Sequence, residues 1–124
     1  MKKLYLDLET TGVDPRGCCI VQIALIVEIE EVIKELAVIL VNPLANARIE
    51  PGALALSDVI ERARSTGITY TQAYSRLSSL LERYVDKYKR KDKFFLVGYN
   101  VGFDDSFLRE MWKHNKDVYY GSWF

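Results

Sequence analysis

The sequence predicts an α/β fold in which three antiparallel strands are extended by a fourth, parallel strand and flanked by helices. Leu4, Leu6 and Leu8 alternate with Tyr5, Asp7 and Glu9, the two-residue period of a half-buried strand. The apolar run from Cys18 to Val41 is dense in Ile and Val yet carries five charges, which favours two strands over a buried helix or a membrane span. A helical pattern opening at Thr69 is followed by the short apolar stretch Phe94-Phe95-Leu96-Val97. A helix between strands returns the chain parallel to the first.

The 124 residues suit one domain, 1–124. A hydrophobic content of 49% with 27% charged residues argues against a disordered or fibrous chain. Lys and Arg number 17, as do Asp and Glu, so the formal net charge is zero. That speaks against a module that binds nucleic acid by phosphate neutralisation alone. It weighs less against a site whose positive charge comes from metal ions. Cys18 and Cys19 are adjacent, too close for an easy mutual disulfide, and form no Cys-x-x-Cys pair. They are read as reduced. With no leader pattern before Tyr5, the expected location is cytoplasmic, with no membrane partner.

The first strand delivers Asp7 and Glu9 to one face, with stems roughly 6.6 Å apart, a spacing suited to sharing divalent cations. Thr10-Thr11-Gly12 then supplies hydroxyls, backbone amides and a residue without Cβ for a tight turn beside a ligand. Val13 to Gly17 is turn chemistry. Two strands follow, joined by a hairpin near Glu30-Glu31, and Asn42-Pro43-Leu44 ends that segment. Pro51 to Ser57 is read as a short helix continued by Asp58 to Arg64, a connector packing through Leu54, Leu56 and Ile60.

From Thr69, read as the cap, Ala73, Leu77, Leu80, Leu81, Tyr84, Val85 and Tyr88 make one apolar stripe that predicts a helix to about Lys89. Lys87, Lys89, Arg90, Lys91 and Lys93 then fall at its end, where cations complement the helix dipole; they are read as a solvated cap in preference to the sharper reading of a nucleic-acid patch, which Asp86 and Asp92 dilute. Phe94 to Val97 reads as a buried strand covered on both faces. Gly98 to Gly102 is a glycine-flanked turn into a helix reaching His114, with Phe103, Phe107, Leu108, Met111 and Trp112 on its apolar side and Asp104 in its first turn. The turn lacks the glycine spacing of a nucleotide-phosphate loop.

Asp-x-Glu-Thr-Thr-Gly at Asp7 to Gly12 and Asn-x-x-Phe-Asp at Asn100 to Asp104 resemble the first two motifs of the DEDD-type 3′-to-5′ exonucleases. That group is RNase H-like and includes proofreading exonucleases and oligoribonucleases. The resemblance implies a metal-dependent exonuclease that removes 5′-mononucleotides from 3′ ends of single-stranded DNA or RNA. Asp7, Glu9 and Asp104 would be catalytic and would hold Mg²⁺ or Mn²⁺, two ions in the complete site, because hard oxygen ligands select those ions. Thr10, Thr11, Asn100 and Phe103 would contact substrate. The alternative is a catalytically silent nucleic-acid-binding or interaction module on the same fold.

The family also carries a third motif, a fourth acid preceded by a His or Tyr general base. His114 stands too close to Asp117 for that pattern and is read as a surface residue, and no acid follows Tyr119 and Tyr120 before Phe124. The expectation is a C-terminally truncated fold with an impaired site. Trp112, Tyr119, Tyr120, Trp123 and Phe124 are expected to be exposed and to drive self-association, or to meet a polymerase-type partner.

Overall fold

A computed structural model describes residues 1–124, the side chain of Leu54 excepted. Its strands are β1 (Lys2–Thr10), β2 (Ile20–Ile29), β3 (Val32–Leu40) and β4 (Phe95–Val97), and its helices are α1 (Ser57–Thr66), α2 (Tyr70–Tyr84) and α3 (Val101–His114). The sheet runs β3-β2-β1-β4, with β1 to β3 antiparallel and β4 parallel to β1. This is the mixed sheet expected of an RNase H-like exonuclease fold. No helix is long and apolar enough to cross a membrane.

The alternation in β1 decides the layers. Leu4, Leu6 and Leu8 are buried with Ile23, Leu25 and Val27 of β2 and Ile39 of β3, against Leu77 and Leu81 of α2 and Phe107, Leu108, Met111 and Trp112 of α3. Burying such side chains contributes about 1.5–3 kcal/mol each. A smaller cluster of Val21, Ala53, Ile60 and Ala63, flanked by Leu56 and Val59, seats α1. The expected packing through Leu56 and Ile60 is therefore present, while Leu54 lies outside the described side chains. The β2–β3 hairpin turns at Glu30 and Glu31, both left-handed at φ 49° and 67°. Two such residues in a row suit the twist of a two-residue hairpin loop.

Helix α2 opens on a full capping box between Thr69 and Gln72. It stops at Tyr84, not at Lys89. The reason is long-range: Lys2 of β1 donates to the Tyr84 carbonyl and to Asp92 Oδ1, while Asp92 Oδ2 accepts from the Asp86 N–H at 2.9 Å. Val85 is buried, but Tyr88, assigned to the apolar stripe, stands 87% exposed. β4 also differs from the expected buried strand. It is an edge strand of the sheet, with Phe94 buried and Phe95 exposed.

The C-terminal aromatics correct a third expectation. Trp112, Tyr120 and Trp123 are buried, Phe124 is partly buried against the core, and only Tyr119 is exposed. Trp112 meets Tyr74 and Tyr120 edge to face, at 5.0 Å and 5.5 Å between ring centroids. Phe94 N–H donates to the Trp123 carbonyl at 2.8 Å, and Tyr120 donates its hydroxyl to Asp105 Oδ1 at 2.6 Å. The chain end thus folds back onto β4 and α3, which removes the apolar surface from which self-association was expected.

Candidate active site

β1 ends at Thr10, and a bulge between Glu9 and Thr10 shifts its register, so that Glu9 pairs with Gln22 but Thr10 with Ile20. Bulges re-aim side chains where a strand must present a group beyond regular pleating. Asp7 is exposed and Glu9 half-buried on the face opposite the core. Ala24 stands opposite Asp7 and Gln22 opposite Glu9. A small and a neutral polar side chain therefore flank the acids across the ladder.

Asp104 comes from the first turn of α3 and is only 5% exposed. It approaches β1 across Gly98: a Cβ at Gly98 would fall 2.9 Å from the Leu6 carbonyl oxygen and 3.3 Å from Asp104 Oδ2. Glycine is needed there for close approach. The Asp104 carboxyl is pushed up to about 6, chiefly by burial and then by the charges of Asp7 and Glu9, against the lowering effect of the Leu8 backbone amide. Glu9 is raised as well, first by burial and then by Asp7. The charges of Asp7 and Glu9 thus reach Asp104. Its neighbour Asp105 points elsewhere, accepting from Tyr120 and from Arg109 Nε at 2.8 Å.

These shifts set a pH dependence for metal-free protein. Asp104 is raised above its unfolded value of about 3.9, so the folded state binds the extra proton: stability is full below about pH 4 and is lost as pH rises through about 6. In EDTA, Asp104→Asn should gain between about 1 and 3 kcal/mol at pH 7.5 and almost nothing at pH 4. Urea midpoints at the two pH values measure it. An equal effect at both would mean that Asp104 carries no such strain.

Three carboxylates are a hard oxygen donor set of the kind that takes a small divalent cation. Among the described residues, however, no three His, Cys, Asp or Glu side chains are gathered closely enough to ligate one ion. The donor chemistry fits a metal.

The remaining sequence-selected residues divide. Thr10 is buried, donates to the Gly12 carbonyl at 2.6 Å and lines a cavity of about 260 Å³ with Val13, Glu50, Pro51 and Leu56. Thr11 is fully buried, and its hydroxyl is used twice, donating to the Arg48 carbonyl at 2.7 Å and accepting from Cys19 N–H at 3.0 Å. It ties the turn to the 44–50 segment, and its side chain is closed to a ligand, contrary to expectation. Asn100 precedes α3 with an exposed side chain that makes no capping hydrogen bond. Phe103 is half-buried, its ring 4.9 Å from that of Phe107.

Glu50 was missed. Its Oε1 accepts from Val13 N–H at 2.8 Å and from the Cys18 thiol at 3.1 Å, and these bonds hold its carboxyl below the ordinary range. A Cβ on Gly12 would come within 2.5 Å of Cys18 Sγ and collide with Glu50. Gly12 is therefore glycine because a carboxylate from 38 residues on fills the space, not because a ligand does. Nothing in the local sequence signals that contact. His114 lies away from the acids, edge-on to Tyr70 beside Cys18 and Cys19.

A mixed β3-β2-β1-β4 sheet with acids at the end of its first strand and at the start of a following helix is the arrangement of an RNase H-like nuclease domain. A sequence model of the exonuclease family named for RNase T matches residues 4–120, and the chain belongs to that family. Among solved structures it is similar to Escherichia coli exonuclease I in complex with a dT13 oligonucleotide, with a TM-score of 0.79 and 26% identity over 98% of this chain. The zinc-bound and metal-free forms of the E. coli exonuclease I complex with single-stranded DNA each give a TM-score of 0.79 and 27% identity over 98% of this chain. In all three the chain spans 25% of the matched protein. No curated protein matches it significantly.

Proposed function

We propose that the protein is a metal-dependent 3′-to-5′ exonuclease that hydrolyses phosphodiester bonds of single-stranded DNA or RNA and releases 5′-mononucleotides. The observation that carries this is the buried Asp104, which approaches β1 across Gly98 and whose carboxyl is raised by burial and by the charges of Asp7 and Glu9. A carboxylate held there against its own electrostatic cost is intelligible if a cation is the intended neighbour.

Asp7, Glu9 and Asp104 would hold Mg²⁺ or Mn²⁺, which when bound supplies Lewis acidity and neutralises charge on the scissile phosphate. The rest is positioning by the chain. Gly98 lets Asp104 of α3 approach the β1 backbone at Leu6, next to the strand that carries Asp7 and Glu9. Asn100 offers an uncommitted amide at the N-terminal end of α3, where the helix dipole favours a phosphate. Thr10 contributes to a cavity with Val13, Glu50, Pro51 and Leu56, which would take the terminal nucleotide, and Phe103, half-buried against Phe107, would contact the substrate from the first turn of α3. The identity of the base is not supplied by His114, which lies elsewhere.

Directionality tests the proposal. With manganese, single strands blocked at the 3′ end should resist digestion, and strands blocked at the 5′ end should release mononucleotides. Rapid cutting of a circular single strand would show an endonuclease instead, and no cleavage by any form carrying these residues would leave the binding module.

A further inference from the structure

Lys87, Tyr88, Lys89, Arg90 and Lys91 form an exposed loop between α2 and β4. The commonplace account of such a run is a charged cap on a helix C-terminus. The structure removes it. α2 ends at Tyr84, whose carbonyl is met by Lys2, and the cations begin three residues later. The loop is instead ordered from within: Lys89 N–H donates to the Asp86 carbonyl and Asp92 N–H to the Lys89 carbonyl, each at 2.9 Å.

Its acids are used in that framework. Asp86 Oδ1 accepts from Tyr88 N–H at 3.0 Å, and Asp92 holds Lys2 and the Asp86 N–H. Of the nearby acids, Glu82 lies 3.9 Å from Lys87, and Glu35 pairs with Arg83 at 3.0 Å. Lys93 is drawn off to the Gly121 carbonyl. Lys89, Arg90 and Lys91 make no ion pair among the described residues. In a chain of zero net charge they are a local excess, and Tyr88 stands among them 87% exposed beside a depression of about 360 Å³ lined by Arg83, Tyr84, Val85 and Lys87.

Unpaired cations around an exposed aromatic ring are the ingredients of a single-strand contact, where phosphates meet the charges and a base stacks on the ring. We infer that the 87–91 loop is a second contact for single-stranded nucleic acid, with Lys89, Arg90 and Lys91 on phosphates and Tyr88 against a base. This rests on the reading that the protein acts on a nucleic-acid strand. The loop is fastened to Lys2, seven residues and roughly 23 Å along β1 from Glu9, so the two contacts sit toward opposite ends of that strand. Phe95, on the same face as Asp7 by its register with Lys3, is exposed between them. A strand of several nucleotides spans that distance and a trinucleotide does not.

The test is fluorescence anisotropy in EDTA with a labelled oligothymidylate of about 20 nucleotides and with a trinucleotide. Replacing Lys89, Arg90 and Lys91 together by Ala should weaken the long strand at least tenfold at low salt. It should also flatten the dependence of log affinity on log salt by about 2, since each single-strand phosphate contact contributes about 0.7. Tyr88→Ala should weaken it about tenfold with the salt slope unchanged. Neither variant should alter trinucleotide affinity. Unchanged long-strand affinity in both variants, or no binding by the unaltered protein, overturns the inference. If binding falls as described but no manganese-dependent hydrolysis exists, the loop contact stands and the nuclease reading fails. If hydrolysis exists and the variants bind normally, only the loop contact fails.

Discussion

Asp104→Asn should reduce manganese-dependent release of mononucleotides on the order of 10²-fold or more, while Asp105→Asn, one residue away, leaves turnover within about twofold. The first figure is the scale of removing one group that organises charge in a phosphoryl transition state. The contrast follows from where the two carboxylates go. Asp104 is buried toward Asp7 and Glu9, whereas Asp105 is committed to the Tyr120 hydroxyl and to Arg109. Its loss should instead loosen the C-terminal turn. Single-turnover hydrolysis of a labelled strand by both variants, in the most active form of the protein that carries these residues, separates the roles. Equal losses would mean that the helix, and not the Asp104 carboxylate, is what the site requires.

Trp112→Ala should cost about 3–5 kcal/mol, a large share of the 5–15 kcal/mol that holds a domain of this size together. Trp112 is 1% exposed and joins α3 to α2 through Tyr74 and to the chain end through Tyr120. Its indole N–H is buried with no hydrogen-bond partner, as is that of Trp123. Trp112→Phe should therefore cost far less than the alanine change, since it keeps most of the ring contact and sheds an unpaired donor. Urea unfolding of both variants reads the difference. Similar losses would place the energy in the indole edge and contradict the packing account.

The parts legible in sequence are those set by short periods. Alternation over Leu4 to Glu9 fixed which side of β1 is buried, and the charged break at Glu30-Glu31 marked the hairpin. The Asn100 to Asp104 turn placed a carboxylate in the first turn of α3. What was not legible depends on distant partners. The end of α2 is set by Lys2, which is 82 residues from Tyr84 and 90 from Asp92 in sequence. The Thr11 hydroxyl is consumed by Arg48, 37 residues on, and Gly12 by Glu50. Trp123 and Tyr120 are covered because the chain end returns to β4 and α3, which no local pattern announces.

The central claim is that Asp7, Glu9 and Asp104 form one divalent-cation site. Titration calorimetry with manganese tests it most directly, on the unaltered protein and on Asp7→Asn, Glu9→Gln and Asp104→Asn. The account predicts saturable binding that each substitution weakens at least tenfold, with fewer protons released when Asp104 is the residue changed, because its carboxyl is the one pushed up to about 6. Manganese affinity that is the same in all four proteins would place the ion elsewhere and contradict the account.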